Sequence, residues 1–339
     1  MKNILITGAS GFVGGHMVEE GNRRGYKVFA GVRGTSDLRF LEGQQYEIFP
    51  LDLNKPHEVR NNLIDFRNKG IEFNYVIHCA AITKPKRIEE FYEGNSEFTK
   101  TFASELIKEH PSFKKFIYIS SMAAQGPGDS VTFAPVTEEH LPKPFTPYGM
   151  SKRRAELYLF EMKDLNYVIF RPMAVYGPRD KKFILRLISI MQKGFNVSLG
   201  SSKAKSAIVY IDDITELLFN AIESDVVRET FNISDGKTYP QATINRVLSN
   251  ELGLKTVSLR IPRWFLLGVS YTLYFGNKII KKPLHLSPFK IKELTALNWT
   301  VDISKAQKML RFYPKHFLDK GVKKTVDWYH KNGDHHSAK

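Results

Sequence analysis

The chain has 339 residues, 42% of them hydrophobic and 25% charged, which suffices for one large or two modest cores and excludes a disordered composition. Its one cysteine, Cys79, excludes an intrachain disulfide and a cysteine-rich metal centre, and no metal site is expected. A net charge of +15 suits an acidic partner, such as a phosphate-bearing cofactor or an anionic membrane surface. No Lys/Arg block is interleaved with aromatics as a nucleic-acid groove requires, so no nucleic-acid partner is expected.

Met1-Lys2-Asn3 passes straight into Ile4-Leu5-Ile6, without the basic region, long apolar run and cleavage site of a secretory leader; the expected location is cytoplasmic. Residues 2–7 read as a buried parallel strand. Gly8-Ala-Ser10-Gly11-Phe12-Val13-Gly14-Gly15 follows and opens a helix through Arg24. Strand, glycine turn and helix in that order are the context of a dinucleotide-binding fingerprint. Gly8 suits the tight turn, Gly11 lets the backbone approach a pyrophosphate, Gly14 lets the helix pack on the sheet, and the helix N-terminus offers amide donors.

A second strand, Tyr26–Val32, ends at Arg33-Gly34-Thr35-Ser36. An acid at this strand end grips the ribose 2′-hydroxyl of NAD, whereas an arginine accommodates a 2′-phosphate, so Arg33, helped by Ser36 or Arg39, favours NADP over NAD. The plain alternative is a surface arginine in a loop. Tyr46–Leu51 is a third strand, followed by Asp52-Leu53, where the carboxylate can bond an adenine amino group or cap the helix beginning near Pro56. The fourth strand, Asn74–Cys79, leads into Ala80-Ala81, small enough for a cofactor to lie close, and Cys79 reads as a small core residue.

Residues 88–109 form a long amphipathic helix with Phe91, Phe98, Phe102 and Leu106 as core residues and Asn95 within it. A fifth strand, Phe113–Ser120, delivers Ser120-Ser121 at its C-terminal end, where doubly wound sheets place ligands. A loop rich in proline and glycine then reaches Tyr148-Gly-Met-Ser-Lys152, the opening of a helix to about Met162. Tyr148 and Lys152, four apart, share a helix face. A free phenol has a pKa of about 10, and a neighbouring ammonium lowers it, so such a pair can exchange a proton with a carbonyl or alcohol oxygen near neutral pH. The sixth strand, Asn166–Phe170, ends at Arg171-Pro172-Met173.

The second half changes character. Helical segments at 181–193 and 213–223 flank a short strand, Ile208–Ile211; Glu229–Ile233 is another strand and Thr243–Leu252 a helix. Trp264–Phe275 is the most apolar stretch there and is shorter than the roughly 20 residues that span a bilayer. It is expected to pack in the second lobe or to lid an apolar pocket. With Arg260, Arg263, Lys278, Lys281 and Lys282 beside it, peripheral membrane contact through 264–282 is the other reading. A helix from Asp302, a final helix at Lys320–Trp328 and a frayed tail at 333–339 complete the chain. The fold class is α/β, a doubly wound parallel sheet over 1–178 with a smaller C-terminal α/β substrate lobe over 179–332, parts of which return to the first domain.

Taken together, the motifs Thr7-Gly-x-x-Gly11-x-x-Gly14, Asp52-Leu53, His78-Cys-Ala80-Ala81, Asn95, Ser120-Ser121, Tyr148-x-x-x-Lys152, Arg171-Pro172 with Tyr176-Gly-Pro, and Tyr210-Ile-Asp212-Asp213 resemble the extended short-chain dehydrogenase/reductase superfamily. They cover roughly two-thirds of the chain in family order. The resemblance implies a Rossmann domain, with Tyr148 as general acid/base, Lys152 bonding the nicotinamide ribose and lowering the Tyr148 pKa, and Ser121 bonding the substrate oxygen, with Ser120 as the fallback. Gly8, Ser10, Gly11, Phe12, Val13, Gly14, Arg33, Asp52, Leu53, Ala80, Ala81, Asn95, Pro172 and Met173 would line the cofactor. It also implies a homodimer through the helices around 88–109 and 148–163.

Two departures narrow the function. Met122 and Ala123 stand where nucleotide-sugar dehydratases carry an Asp-Glu pair, and Ala174 stands where many epimerases and decarboxylases carry asparagine. The Arg171-to-Pro178 turn is more similar to the branch of 3β-hydroxysteroid dehydrogenases and dihydroflavonol reductases, although Gln125 replaces that branch's usual tyrosine. The expectation is an NAD(P)-dependent oxidoreductase acting on a carbonyl or alcohol of a hydrophobic small molecule. A nucleotide-sugar epimerase with tightly held NAD is the enzymatic alternative, and a non-catalytic NADP-sensing protein the alternative of another class.

Overall fold

A computed structural model describes residues 2–181, 183–280 and 287–332; the tail expected at 333–339 and the pair Lys281-Lys282 lie outside the described residues. The centre is a seven-stranded sheet built from β1 (Asn3–Thr7), β2 (Lys27–Val32), β3 (Glu47–Pro50), β4 (Tyr75–His78), β5 (Lys115–Ile119), β6 (Tyr167–Pro172) and β7 (Glu229–Ile233). Every neighbouring pair is parallel, in the order β3-β2-β1-β4-β5-β6-β7. Parallel strands need crossovers, and helices on both faces bury the strands between them, which is why Ile4-Leu5-Ile6 is apolar without alternation and fully buried.

Alternate side chains divide the core. Ile4, Ile6, Val28, Ala30, Ile77, Val168 and Phe170 face the helices Phe12–Arg23 and Ile211–Glu223, where Met17, Val18, Leu217 and Leu218 meet them. Leu5, Phe29, Val76, Phe116, Tyr118 and Ile169 face the other layer, with Leu63 and Phe66 of Pro56–Asn68, Phe102 and Leu106 of Phe98–Glu109, and Ala155 and Leu159 of Pro147–Glu161. The chain order reverses between β1 and β4, so the crevice outside the carboxyl ends of these strands lies beside Gly8 and Ala80.

Two features differ from the sequence reading. The helix expected over 88–109 is broken: Glu89–Tyr92 and Phe98–Glu109 are α-helical, and Glu93–Glu97 between them is a wider π-turn. A side chain on Gly94 would place its Cβ 2.3 Å from Ile82, and Asn95 holds the Ile82 backbone at both ends, so the turn is opened by close packing of the loop after β4. Glu229–Ile233 pairs with β6 as the seventh sheet strand, so this part of the second half lies in the central sheet. The apolar stretch near 264 forms the helix Arg263–Ile280, but it is not packed away: Trp264, Phe265, Val269, Tyr271 and Leu273 are exposed.

The second lobe is small. It contains the helices Ile184–Met191, Gln241–Glu251, Arg263–Ile280 and Pro288–Leu294, and a parallel ribbon of Phe195–Leu199 with Val257–Ile261. Of the closing helices, Ser304–Leu310 returns to the first core through Ala306 and Leu310, whereas Leu318–Asn332 packs with Ile184–Met191 and Gln241–Glu251, and its Tyr329 donates to the Asp180 carbonyl at 2.6 Å.

The site helix Pro147–Glu161 is started by Thr146, whose Oγ1 accepts from Gly149 N at 3.0 Å, with Pro147 in its first turn. Its buried face is fixed by an ion pair. Glu156, fully buried, accepts two hydrogen bonds from Arg171 at the end of β6, at 2.9 and 2.7 Å, one from Ser120 Oγ at 2.6 Å and one from Arg153 at 2.9 Å. Burial alone would raise the Glu156 pKa, but these donors, Arg171 above all, hold it below the ordinary carboxylate value. Glu156→Ala would strand a buried guanidinium, with an expected loss of about 3–5 kcal/mol in denaturant unfolding. Glu156→Gln keeps acceptor and donor atoms in place and is expected to lose less.

Candidate functional site

The glycine turn after β1 is sterically committed. Gly8 has φ +68°, and a Cβ there would lie 2.9 Å from the Ala80 backbone; a Cβ on Gly14 would lie 2.2 Å from the Gly8 carbonyl. The following helix begins from an extended Gly11 with no side-chain cap and no acid in its first turn. Its leading amides at Phe12 and Val13, together with half-buried Ser10, therefore present an N-terminus open to an anion. Ala80 and Ala81 close the floor across from Gly8. Glycine packing that leaves no room for side chains, beside uncapped amides at the reversal of the sheet, fits a dinucleotide.

Around this turn the other expected residues separate. Arg33 is exposed just beyond β2, and its backbone N–H donates to Ser36 Oγ at 3.1 Å. Arg39 is bound to Asp37 at 2.7 Å, and Ser36 is the expected helper that holds the Arg33 turn. Asp52 does not cap the helix Pro56–Asn68, whose N-cap is Lys55 with no side-chain bond; its carboxylate accepts instead from Asn54 N–H at 3.0 Å, a local turn, beside half-buried Leu53. Asn95 is fully buried. Its Oδ1 accepts from Ile82 N–H at 2.7 Å and its Nδ2 donates to the Ile82 carbonyl at 3.0 Å and to Ser151 Oγ at 3.1 Å, so it ties the loop after β4 to the site helix. Pro172 is buried, and half-buried Met173 donates its N–H to the Ile233 carbonyl at 2.9 Å.

Beyond the ends of β5 and β6 the helix Pro147–Glu161 brings Tyr148, Lys152 and Glu156 onto one face. Ser120 and Ser121 have different surroundings. Ser120 is buried and spent on Glu156, whereas half-buried Ser121 caps the short helix Met122–Gln125 through Ala123 N–H and lies close enough to the Tyr148 hydroxyl to act on its pKa. Burial pushes the Tyr148 phenol well above its ordinary value, the charge of Glu293 adds to this, and the neighbouring Ser121 hydroxyl acts the other way. Lys152 does not supply the expected lowering here. Its Nζ lies 4.3 Å from the Tyr118 ring centre, in a cation–π contact, and burial brings its own pKa down to about 7 while Glu156 resists the fall. Alongside, His78 lies between Thr7 Oγ1 at 2.7 Å and Thr99 Oγ1 at 3.0 Å, and burial lowers its pKa to about 3, keeping it neutral. Cys79, as expected of a core thiol, is pushed up to about 12 by burial.

Several residues of the site were not singled out in the sequence. Phe91, expected in the core, is half-buried and meets the Tyr148 ring edge-on at 5.9 Å. Glu156 lies four residues after Lys152, a spacing that could have revealed it. Glu293 acts on Tyr148 from the helix Pro288–Leu294, far away in sequence, with no local signal. Gln125 does not face a substrate: it is buried, donating to the His140 carbonyl and accepting from Arg171 at 2.5 Å. Met122 and Ala123, in place of an acid and a base, are buried in their short helix. Among the described residues, no group of three or more His, Cys, Asp or Glu is placed to hold a metal ion.

Comparison with known proteins agrees with this geometry. The model of the NAD dependent epimerase/dehydratase family matches residues 4–234. A UDP-glucose 4-epimerase of Vibrio cholerae is 30% identical, with 96% of this chain and 94% of that protein covered. A sterol-4-alpha-carboxylate 3-dehydrogenase (decarboxylating) of Candida albicans is 25% identical, with 97% of each covered. The crystal structure of a UDP-glucuronic acid 4-epimerase from Bacillus cereus in complex with NAD superposes with a TM-score of 0.74 at 22% identity, covering 97% of this chain and 99% of that one, and shares the fold. The glycine turn, the parallel sheet and the extent of these matches establish that the chain belongs to the NAD dependent epimerase/dehydratase family.

Proposed function

We propose that the protein is an NAD(P)-dependent dehydrogenase or reductase of a hydrophobic small molecule, such as a steroid-, terpenoid- or flavonol-like compound, with Tyr148 as its acid/base. The observation that carries this reading is the pairing of Tyr148 with Ser121 beside Phe91, with buried Met122 and Ala123 next to them. The hydroxyls can serve a carbonyl or alcohol oxygen, and neither Met122 nor Ala123 can remove water from a sugar.

The residues of the glycine turn, Gly8, Ser10, Gly11, Phe12, Val13 and Gly14, would hold the dinucleotide, with Arg33 at the ribose of its adenosine half, Asp52, Leu53, Ala80, Ala81 and Asn95 along its length, and Pro172 and Met173 at the nicotinamide end. When bound, that cofactor supplies the hydride acceptor or donor. Tyr148, kept protonated by burial and by the charge of Glu293, gives its proton to the substrate oxygen in reduction and recovers it in oxidation. Ser121 donates to the same oxygen and polarises it. Lys152, balanced near neutrality, supports the phenolate whenever it carries its own proton. A homodimer through the helix pair at 88–109 and 148–163 is part of the same proposal.

A second reading is favoured by the Vibrio cholerae relative: epimerisation of a nucleotide sugar with NAD retained through turnover. It predicts cofactor that survives purification and no net use of NADPH, whereas the dehydrogenase reading predicts stoichiometric NADPH consumption with a ketone panel. A non-catalytic NADP-sensing role predicts binding without either activity.

Tyr148→Phe is expected to lower kcat by about 10²–10⁴-fold with little change in cofactor affinity, measured by steady-state turnover and cofactor titration. Arg33→Asp is expected to reverse the cofactor preference, weakening NADP and sparing or improving NAD in a fluorescence titration; an unchanged ratio would remove Arg33 from the cofactor site.

The Lys152 ammonium also has a pH signature. Below pH about 7 this side chain is charged in both the folded and unfolded chain, and folding carries the full desolvation cost. Between about 7 and the ordinary 10.5 the folded chain releases the proton first, so stability rises with pH, and above 10.5 the cost is gone. Lys152→Met is therefore expected to be more stable than the parent at pH 6, on the order of a few kcal/mol, with the gap closing towards pH 10, as read from thermal or denaturant melts.

A further inference from the structure

The helix Arg263–Ile280 presents its apolar side to solvent. Leu266, Leu267 and Ser270 point inward, with Ser270 buried, and the helix packs against Pro288–Leu294. On the outward side Trp264, Phe265, Gly268, Val269, Thr272 and Leu273 line a shallow groove, with Trp264 73% and Phe265 50% exposed. The strand that leads into this helix, Val257–Ile261, exposes Val257 and Leu259, and Val257 is paired with exposed Phe195. A soluble chain does not ordinarily leave so many large apolar side chains together in water.

The charge of the same region is one-sided. Between Glu251 and Glu293 the sequence holds eight Lys and Arg and no Asp or Glu. In the described structure Arg260 is exposed on the strand, Arg263 is exposed at the start of the helix, and Lys290 and Lys292 lie on the helix beneath. Of these Lys290 is paired, with Glu293. Among the described residues no helix is long and apolar enough to cross a membrane. An apolar helix face with an aromatic pair at one end, bordered by the exposed cations Arg260 and Arg263, is complementary to the interface of an anionic bilayer: the side chains enter the acyl boundary and the cations remain among the headgroups.

We infer that Arg263–Ile280 with the strand Val257–Ile261 is a peripheral membrane-docking surface for anionic lipid. The helix it rests on, Pro288–Leu294, carries Glu293, whose charge reaches Tyr148, so docking places the bilayer on the side of the molecule that borders the candidate site. The docking surface uses none of the residues assigned to proton transfer or cofactor binding.

The test is sedimentation of the full chain with phosphatidylcholine vesicles and with vesicles containing phosphatidylglycerol at about a third of the lipid. The expected result is binding to the anionic vesicles at least about tenfold stronger than to the neutral ones, and release at about 0.5 M salt. Trp264→Glu with Phe265→Glu, and separately Arg260→Glu with Arg263→Glu, are each expected to reduce anionic binding about tenfold or more with an unchanged circular dichroism spectrum. No binding to anionic vesicles at low salt overturns the inference, as does binding that both double variants leave unchanged. Sedimentation equilibrium revealing an oligomer that the Trp264 and Phe265 substitutions dissociate overturns it as well, since the face is then covered by a second copy. Because the readout is binding rather than turnover, its failure is distinct from failure of the proposed reaction.

Discussion

Glu156 keeps a negative charge with no access to water two turns along the helix from Tyr148. A bare carboxylate in that position would be neutralised or expelled. The guanidinium of Arg171 meets it from the end of β6, the Ser120 hydroxyl from the end of β5, and Arg153 from the helix itself. One ion pair thus locks three elements whose ends converge on the site, and it sets the rotation of the helix that carries Tyr148 and Lys152. Gln125 extends the lock by accepting from Arg171 and donating to the His140 carbonyl. The loop rich in proline and glycine between β5 and the site helix is thereby held to the same buried charge.

This lock has an electrostatic consequence. Lys152 is as buried as Glu156 but is not among the partners that Glu156 bonds, and desolvation outweighs the attraction between them, leaving Lys152 near pH 7 rather than above 10. The neighbouring Tyr148 is pushed in the opposite direction. In water a phenol and an ammonium have similar pKa values. Here burial separates them: the lysine gives up its proton more readily and the tyrosine keeps it. Charge introduced nearby, including the phosphates of a dinucleotide, acts on this balance from a low-dielectric setting, where it is felt more strongly than at the surface.

The parts of the fold that were legible in the sequence are those whose signal is local. Ile4-Leu5-Ile6, Gly8 and Gly14 reveal a buried strand and a turn because burial on both faces and the absence of Cβ leave direct traces in residue type. The Tyr148 and Lys152 pair was legible as a shared helix face. What stayed hidden depends on contacts between distant segments. Glu293 approaches Tyr148 from more than a hundred residues away, and Phe91 looked like a core residue because helical spacing marks an apolar face without saying what covers it. The π-turn at Glu93–Glu97 arises from Ile82 pressing on Gly94, a tertiary contact. The same limit explains the helix Arg263–Ile280: its apolar run predicts a helix, but only the fold shows that nothing in the described chain lies over Trp264 and Phe265.

The exposed helix and the site share a structural neighbour. A water-soluble sugar nucleotide gains nothing from an apolar patch beside the enzyme's mouth, and exposing that patch carries a free-energy cost in solubility. A hydrophobic substrate reverses the balance. Such a molecule partitions into membranes, and an enzyme collecting it there needs a surface that enters the interface, cations that hold it to anionic headgroups, and a short path to the reacting hydroxyl. The run from Val257 through Arg263–Ile280 supplies the first two, and Pro288–Leu294, resting against that helix and carrying Glu293 towards Tyr148, provides the physical connection to the third. On the proposed reading, the apolar surface and basic border concern where a hydrophobic substrate would be met, and the Tyr148–Ser121 pair beside Phe91 concerns the chemistry its oxygen would undergo.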